Sequence, residues 1–316
     1  MSKDSLLALI APSALPWYTG TSINPLLRAF YLSRHYKVLL LLPWIKPEEQ
    51  KFIFPKQYIF FKSFEQEKYI RKYLKDLGHN SSNDDLQIQF YNAKFYSMLG
   101  SIMVRDSIVK YLHNVHTIVL EDPVLLLVMN PFSSLKKKFR TIGIWHTNFS
   151  YYIRQTFLFN FGSLASYICY WYFNYIIKKN CHVVLDLCEQ RQESNYGLNS
   201  FLPLNGIANH FFVSSKIQDP QKAGYFIGKM VWEKGLRELF HLLKLAKETE
   251  FILIGQGKDK SAILDYAYKL GIKVQFISYS ENPAKDLATF RYFINCSRSE
   301  VYCTATAEAI AMNKFV

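Results

Sequence analysis

The chain contains 316 residues, half of them hydrophobic, and its 38 Lys and Arg against 25 Asp and Glu give a net charge of +13. This length and apolar content exclude a disordered chain and fit two globular domains better than one. The positive charge attracts phosphate groups, so nucleic acid, an anionic membrane surface and a diphosphate-bearing substrate are all candidate partners.

The cysteines and the N-terminus exclude two further classes of protein, those with common zinc or redox motifs and those with a secretory signal peptide. The five cysteines are odd in number and contain no C-x-x-C pair, which excludes the common zinc and redox motifs. The first apolar run, residues 6–11, is too short for a signal peptide, and no transit segment rich in Arg and Ser precedes it. We therefore expect the protein on a cytosolic face.

Short apolar runs alternate with helical patterns along the chain. Runs that are apolar on both faces and separated by helices predict parallel sheets covered on both sides, and therefore an α/β fold. The polar stretch at residues 213–222 interrupts the pattern, which predicts an N-terminal domain of residues 1–212 and a C-terminal domain of residues 213–316. The predicted strands are 6–11, 37–42, 117–120, 140–145, 182–187, 225–227, 251–254, 274–277 and 293–295.

Residues 155–177 carry no charge and are rich in aromatic side chains, between Arg154 and the pair Lys178-Lys179. This length is enough to span a bilayer. Polar residues within the run, and the α/β pattern that resumes after it, favour a helix that is buried or lies on a membrane surface. We expect peripheral association with membranes through residues 151–179.

Two carboxylates, Glu300 and Glu308, flank the start of a predicted helix that follows the last predicted strand. Free N–H groups in its first turn, at Thr304 and Ala305, suit a phosphate or sugar oxygen, and the carboxylates suit sugar hydroxyls. Glu300 also ends a Ser-x-x-Glu capping pattern that begins at Ser297, so a structural role stays open for it. Glu308 has Ala three residues before it and fits no such pattern.

A glycine turn with two lysines, Gly228-Lys229 and Lys234, follows the strand predicted at residues 225–227. Glycine allows the backbone to approach a ligand closely, and the lysines can neutralise a diphosphate leaving group. The pattern alone is weak, because many helices begin with a solvated lysine.

The acid pair, the Gly-Lys turn and the sequence Ile254-Gly-Gln-Gly257 together resemble the donor domain of glycosyltransferase family 4. Longer strings resemble one branch of that family, the digalactosyldiacylglycerol synthases of plastids. Asn313 stands where these enzymes tend to have Gly, and Asn also tolerates the left-handed cap conformation. The strings are residues 15–29, 143–148, 225–235 and 303–309.

The resemblance implies a GT-B-like α/β fold, with two Rossmann-like domains facing a cleft and the second domain incomplete at Val316. It assigns catalytic roles to His146, at the sugar end of the cleft, and to Glu300, on the sugar hydroxyls. A lone His at a strand end has a structural role about as often as a functional one. The remaining donor-binding positions that it implies are Gly20, Thr21, Gly228, Lys229, Lys234, Gly255, Gly257, Thr304, Ala305 and Glu308.

The implied reaction is transfer of galactose from UDP-galactose to the galactolipid monogalactosyldiacylglycerol, with retention at the anomeric carbon. No Asp-x-Asp sequence occurs, so we expect neither a metal ion nor another cofactor. The implied location is the plastid (chloroplast) envelope, peripherally on the cytosolic face of the outer membrane. The alternatives are another lipid acceptor, a soluble sugar acceptor, or an inactive remnant that binds membrane or nucleotide. Nucleic acid ranks last, because no recognised binding module accompanies the charge.

Overall fold

The computed structural model describes residues 6–79, 85–97, 99–129, 134–147, 160–187, 199–200, 205–213, 221–247, 251–297, 300 and 303–316. The chain divides into two compact units, residues 1–204 and 205–316. The division lies before the sequence-based boundary at residues 212 and 213, because helix Asn209–Val213 contacts helix Thr304–Ala311 of the second unit.

The first unit contains one eight-stranded sheet in the order β4-β3-β2-β1-β5-β6-β7-β8. Every neighbouring pair is parallel except β3 and β4. Its elements are β1 (Leu6–Ile10), α1 (Gly20–Leu32), β2 (Lys37–Trp44), α2 (Pro47–Gln50), α3 (Ser63–Asp76), β3 (Leu86–Tyr96), β4 (Ser101–Val104), β5 (Val115–Glu121), α4 (Pro123–Leu127), β6 (Arg140–Trp145), α5 (Asn160–Asn180), β7 (Val183–Asp186) and β8 (Asn199–Ser200), with 3-10 turns at Ile108–Tyr111 and Leu135–Lys137.

The central strands of this sheet are covered on both faces. Residues 7–10 of β1 and 38–42 of β2 are all buried, as expected for runs that are apolar in every position. Helix α1 buries Pro25, Leu26, Ala29 and Phe30, at the spacing of one helical face. The chain moves from β1 to β2 and β3 on one side and then crosses to β5 on the other. The carboxyl ends of β1 and β5 therefore flank a topological switch point, where α/β sheets bind ligands.

The second unit contains a four-stranded parallel sheet in the order β11-β10-β9-β12. Its switch point lies between β9 and β12. Its elements are α6 (Asn209–Val213), β9 (Gln221–Ile227), a 3-10 turn (Trp232–Lys234), α7 (Leu236–Ala246), β10 (Phe251–Ile254), α8 (Lys260–Lys269), β11 (Val274–Ile277), α9 (Pro283–Asp286), β12 (Phe290–Phe293) and α10 (Thr304–Ala311).

The predicted α/β class is confirmed, and the strands at residues 140–145, 251–254 and 274–277 have the predicted bounds. The last strand was predicted at residues 293–295, but the observed strand β12 lies earlier and ends at Phe293. Strands β3, β4 and β8 were missed. In β3 buried residues alternate with exposed ones such as Gln87 and Gln89, so the strand shows no continuous apolar run. Asn313 has φ +58°, which confirms the predicted left-handed cap.

Two glycines of the second unit allow close backbone packing. Gly235 has φ +70°, and a Cβ there would lie 1.8 Å from the carbonyl oxygen of Cys296. Gly255 has φ +147°, and its Cβ would lie 1.8 Å from the carbonyl oxygen of Gly228. The loops that follow β9, β10 and β12 can pack together only because these positions lack a side chain.

Replacing Gly235 with Ala is expected to lower the free energy of unfolding more than the same change at Gly271. Gly271 has a similar φ of +74°, but a Cβ there meets nothing within 4 Å. Gly271→Ala should therefore cost only the left-handed conformation, on the order of 1–3 kcal/mol, whereas Gly235→Ala adds a backbone clash. Urea unfolding of both variants measures the difference. Equal losses would show that the close packing at Gly235 is unimportant.

Candidate functional site

The carboxyl end of β5 carries a buried carboxylate that binds two basic side chains. Glu121 is completely buried and accepts a hydrogen bond from Arg28 Nε of α1 at 2.6 Å. Its other oxygen contacts Nε2 of His146, the residue that follows β6. Burial acts to raise the pKa of Glu121, but the charges of Arg28 and His146 outweigh it and lower the pKa below its usual range. Glu121 is therefore an ionised group that fixes the His146 imidazole by Nε2 and leaves Nδ1 for another partner.

The next residue, Asp122, holds the backbone of the segment that contains His146. Its Oδ1 accepts a hydrogen bond from the His146 backbone N–H at 3.3 Å, and its Oδ2 accepts one from the hydroxyl of Thr147. Asp122 has φ +59°, a left-handed conformation that Asp adopts more readily than most residues. The two adjacent acids thus have different roles, since Glu121 orients the imidazole and Asp122 fixes the chain that carries it.

A network of hydroxyl groups surrounds Thr19-Gly20-Thr21 at the N-terminus of α1, where the predicted donor-binding positions Gly20 and Thr21 lie. Ser13 donates to Thr21 at 2.8 Å, and Ser22 donates to Ser13 at 3.0 Å. The Thr19 hydroxyl lies 3.1 Å from that of Thr21 and 3.0 Å from that of Ser22. Hydroxyls beside the free N–H groups of a helix start suit an anionic oxygen. The space does not itself require glycine at position 20, since a Cβ there would meet only Asn24, at 3.6 Å.

In the second unit, the loops after β9 and β12 bring Lys234 and Glu300 together. Lys234 Nζ lies 2.6 Å from Glu300 Oε1. Glu300 lies before α10, which begins at Thr304, so the alternative interpretation of Glu300 as a helix-capping residue is wrong. The structure instead gives Glu300 an ion pair with a residue 66 positions earlier in the chain.

Lys229 lies on the segment that follows β9, five residues before Lys234. Desolvation lowers the pKa of its ammonium, and the nearby positive charge of Lys234 lowers it further. A diphosphate would supply negative charge that opposes both effects. The two predicted lysines are therefore near enough for the charge of Lys234 to affect Lys229.

Glu308 lies on α10, five residues into the helix, where desolvation raises the pKa of its carboxyl to about 8. Within the described part of the chain, no hydrogen-bond or ion-pair partner contacts this carboxylate. A carboxyl that is partly removed from water and has no partner is costly unless a ligand completes its hydrogen bonds. The structure also confirms that Thr304 and Ala305 open the helix that carries it.

The predicted glycines 255 and 257 support the Gly228-Lys229 turn from the side of β10. The backbone N–H of Gly228 donates to the carbonyl of Ile254 at 2.9 Å, and that of Met230 donates to Gln256 at 2.9 Å. A Cβ on Gly257 would lie 2.2 Å from the carbonyl oxygen of Met230. These glycines therefore have a packing role that does not depend on contact with a ligand.

Sequence reasoning missed Arg28, Glu121 and Asp122. The signal available was the acidic pair Glu121-Asp122 directly after an apolar strand, which is the position where α/β sheets bind ligands. No local pattern links Arg28 to Glu121, because 93 residues separate them. Among the described residues, no group of three or more His, Cys, Asp or Glu is placed to hold a metal ion.

Comparison with known folds supports the assignment of two Rossmann-like units of GT-B type. The structure of Anabaena HepE in complex with UDP-glucose matches with a TM-score of 0.65 at 13% identity, covering 98% of this chain and 79% of that one. Sucrose-phosphate synthase from Thermosynechococcus elongatus matches with a TM-score of 0.57 at 10% identity, covering 98% and 80%. At these identities the likeness establishes the fold alone.

Sequence comparison is more specific. Residues 209–316 match the family described as "Glycosyl transferases group 1". The chain is 33% identical to digalactosyldiacylglycerol synthase 2, chloroplastic, of Lotus japonicus, covering 100% of this chain and 71% of that protein. It is 32% identical to digalactosyldiacylglycerol synthase 1, chloroplastic, of Glycine max, covering 100% and 42%. With this identity along its whole length, the chain belongs to the digalactosyldiacylglycerol synthase family of glycosyltransferases.

Proposed function

We propose that the protein transfers galactose from UDP-galactose to monogalactosyldiacylglycerol and forms digalactosyldiacylglycerol with retention. The names of its relatives, which are digalactosyldiacylglycerol synthases, support this product. The observation that carries the proposal is the set of charged groups at the β9/β12 switch point. Two lysines suited to a diphosphate lie there with two carboxylates suited to sugar and ribose hydroxyls.

The electrostatics of the second unit support a division of roles on the donor. Lys229 and Lys234 bind the diphosphate and stabilise the charge that it gains as the sugar leaves. Glu300 uses Oε1 for Lys234, and its Oε2 accepts a hydrogen bond from a sugar hydroxyl. Glu308 accepts hydrogen bonds from the ribose. These roles need no metal ion.

In the first unit, the imidazole of His146 is held by Glu121 so that Nδ1 hydrogen-bonds the transferred sugar. The reaction that fits retention is a front-face displacement. The bond between the anomeric carbon and UDP breaks, and the bond to the acceptor oxygen forms on the same face. The acceptor proton passes to the leaving phosphate oxygen, so no enzyme carboxylate has to act as a nucleophile.

Helix α5 supports the proposed peripheral association with a membrane. Tyr167, Ile168, Trp171 and Tyr175 are exposed on it, while Phe173, Ile176 and Ile177 are buried. Amphipathic aromatic rings favour the boundary between headgroups and acyl chains, and the lysines at the end of α5 suit anionic headgroups. No helix in the described ranges is long and apolar enough to cross a bilayer. The predicted residues 151–159 lie outside the described part of the chain. We propose the cytosolic face of the plastid outer envelope as the location.

With UDP-galactose and monogalactosyldiacylglycerol in mixed micelles, the protein is expected to form a digalactosyl lipid with an α-linked outer sugar. Proton NMR of the purified product measures the anomeric coupling, and UDP-glucose serves as the competing donor. A β-linked product, or turnover with soluble acceptors only, would overturn the proposed reaction. No turnover together with intact UDP binding would favour the inactive remnant.

UDP binding is expected to release a proton and to tighten as the pH rises from about 6.5 to about 8.5. The free carboxyl of Glu308, with a pKa of about 8, is mostly protonated at neutral pH. Hydrogen bonds from ribose hydroxyls favour the ionised form and lower this pKa in the complex. Calorimetry in buffers of different ionisation enthalpy measures the released proton.

Glu308→Gln should weaken UDP binding by about 10- to 100-fold, because hydrogen bonds to a charged group contribute roughly 1.5–3 kcal/mol each. UDP itself also releases protons as it binds near neutral pH. The variant should lose only the additional proton release that comes from Glu308. Asp265→Asn, a change at an exposed acid of α8, is the matched control and should have no effect. If Glu308→Gln binds UDP like the parent, Glu308 belongs to the scaffold.

The association is expected to be peripheral, so alkaline carbonate should release the protein from membranes. Trp171→Ser with Tyr175→Ser should lower the membrane-bound fraction before extraction, because the two exposed rings lose apolar contact with the interface. Tyr268→Ser, at an exposed ring of the second unit, is the control. Retention in the pellet after carbonate treatment would favour a membrane span and contradict this prediction.

A further inference from the structure

The segment between β2 and the first turn of α3 exposes three phenylalanine rings. The exposed fractions of Phe52, Phe61 and Phe64 are 73%, 75% and 61%. Phenylalanine has no polar group that could compensate for contact with water, so a cluster of exposed rings indicates a binding surface. We call these three residues the phenyl ridge.

The phenyl ridge is carried on an ordered scaffold. Gln50 is completely buried, and its side chain donates to the carbonyls of Ile45, at 2.9 Å, and Phe60, at 3.1 Å. Its Oε1 accepts a hydrogen bond from the backbone N–H of Phe60 at 2.8 Å. Gln50 thus closes the loop of residues 51–60, while Phe54 and Phe60 are buried beneath it. The exposed rings therefore do not result from a loose segment that could fold inward.

Glu65 fixes the backbone beneath Phe61. Its carboxylate accepts hydrogen bonds from the backbone N–H groups of Phe61, at 2.8 Å, and Lys62, at 3.0 Å. The negative charge of Glu65 is thereby directed at backbone N–H groups at the start of α3. The lysine ammonium of residue 62 lies 5.9 Å from the centre of the Phe64 ring.

Exposed lysines stand between and beside the rings, at positions 51, 56, 62 and 68. Apolar rings interleaved with ammonium groups match an anionic lipid surface, where the rings enter the interface and the lysines meet the headgroups. A second copy of the chain fits less well. A two-fold interface brings the same patch against itself and would place lysine opposite lysine.

Ring contacts join the phenyl ridge to the loop that follows β1. Phe52 stacks on Phe95 of β3, with ring centres 6.4 Å apart, and Phe95 meets Trp17 edge-on at 6.1 Å. Trp17 lies two residues before Thr19, where the hydroxyl network begins. A lipid surface at the ridge would therefore lie beside the hydroxyl network in the loop after β1.

We propose that the phenyl ridge, with its flanking lysines, is a second membrane contact of the first unit, separate from α5, and that it binds an anionic lipid surface. The inference deepens the proposed function and rests on it for its biological meaning, since it brings the acceptor lipid to the loop after β1. Binding to vesicles is nevertheless independent of turnover.

Co-sedimentation with vesicles tests the proposal. One set consists of phosphatidylcholine, and the other contains phosphatidylglycerol as well. The parent protein should bind the anionic vesicles more tightly. The triple variant Phe52→Ser, Phe61→Ser, Phe64→Ser should bind them at least about tenfold more weakly, because apolar area no longer enters the lipid. Lys51→Glu, Lys56→Glu, Lys62→Glu should lose the preference for anionic vesicles.

The matched control is Leu242→Ser, Leu245→Ser, Tyr268→Ser, which removes three exposed apolar side chains from the second unit and should bind like the parent. Melting temperature and UDP affinity, unchanged in all variants, verify the fold. If the triple variant unfolds, the Phe61→Trp variant is compared with the parent, which already carries Trp171 on α5. Brominated lipids should quench an additional part of the fluorescence in Phe61→Trp only when the ridge contacts the bilayer. The proposal would be overturned if the triple variant bound vesicles as tightly as the parent, or if only changes on α5 weakened binding. It would also be overturned if the triple variant lost a dimer of the parent while its lipid binding stayed the same. Vesicle binding without galactosyl transfer would instead refute the proposed function and leave the ridge intact.

Discussion

The parallel pairing of strands that are buried on both faces is the constraint on which the candidate site depends. Parallel strands require crossover connections, and each sheet here reverses its strand order once, between β1 and β5 and between β9 and β12. At each reversal the loops leave the two neighbouring strands in opposite directions, so a crevice stays open between them. In the first unit Glu121 ends β5 and His146 follows the neighbouring strand β6, while in the second unit Lys229 and Glu300 follow β9 and β12. Within each unit, the topology of the sheet therefore collects residues that are far apart in the sequence.

The two units differ in how completely their charges are balanced. In the first unit Glu121 is matched by Arg28 and His146, and Asp122 is satisfied by the chain beside it. Such an arrangement is rigid before any ligand arrives. In the second unit Lys234 and Glu300 form a close pair, whereas Lys229 and Glu308 are held where their charged forms are disfavoured. A nucleotide sugar carries both the phosphates and the hydroxyls that would favour these charged forms, which gives the donor a physical reason to bind there.

Close backbone packing connects these electrostatic effects to the fold. The glycines after β10 let that loop lie directly against the Gly228-Lys229 turn, and Gly235 lets the start of α7 approach the segment after β12. Side chains at these positions would push the loops apart and separate the lysines from the acidic pair. The same residues therefore serve stability and binding, which explains why the glycine pattern is visible in the sequence even where the structure gives it a packing role.

The sequence by itself determined the α/β class, most central strands, the Gly-Lys turn and the acid pair, because these depend on local hydrophobic pattern and short motifs. It missed β3, whose alternating burial resembles neither a buried strand nor a helix. Only the tertiary structure decided that Glu300 pairs with Lys234 rather than capping a helix, and that Glu308 is desolvated without a partner among the described residues. It also revealed Arg28 on Glu121, and which phenylalanines of residues 52–64 face solvent. These features are set by contacts between distant segments, and burial and ion pairing arise only when those segments meet.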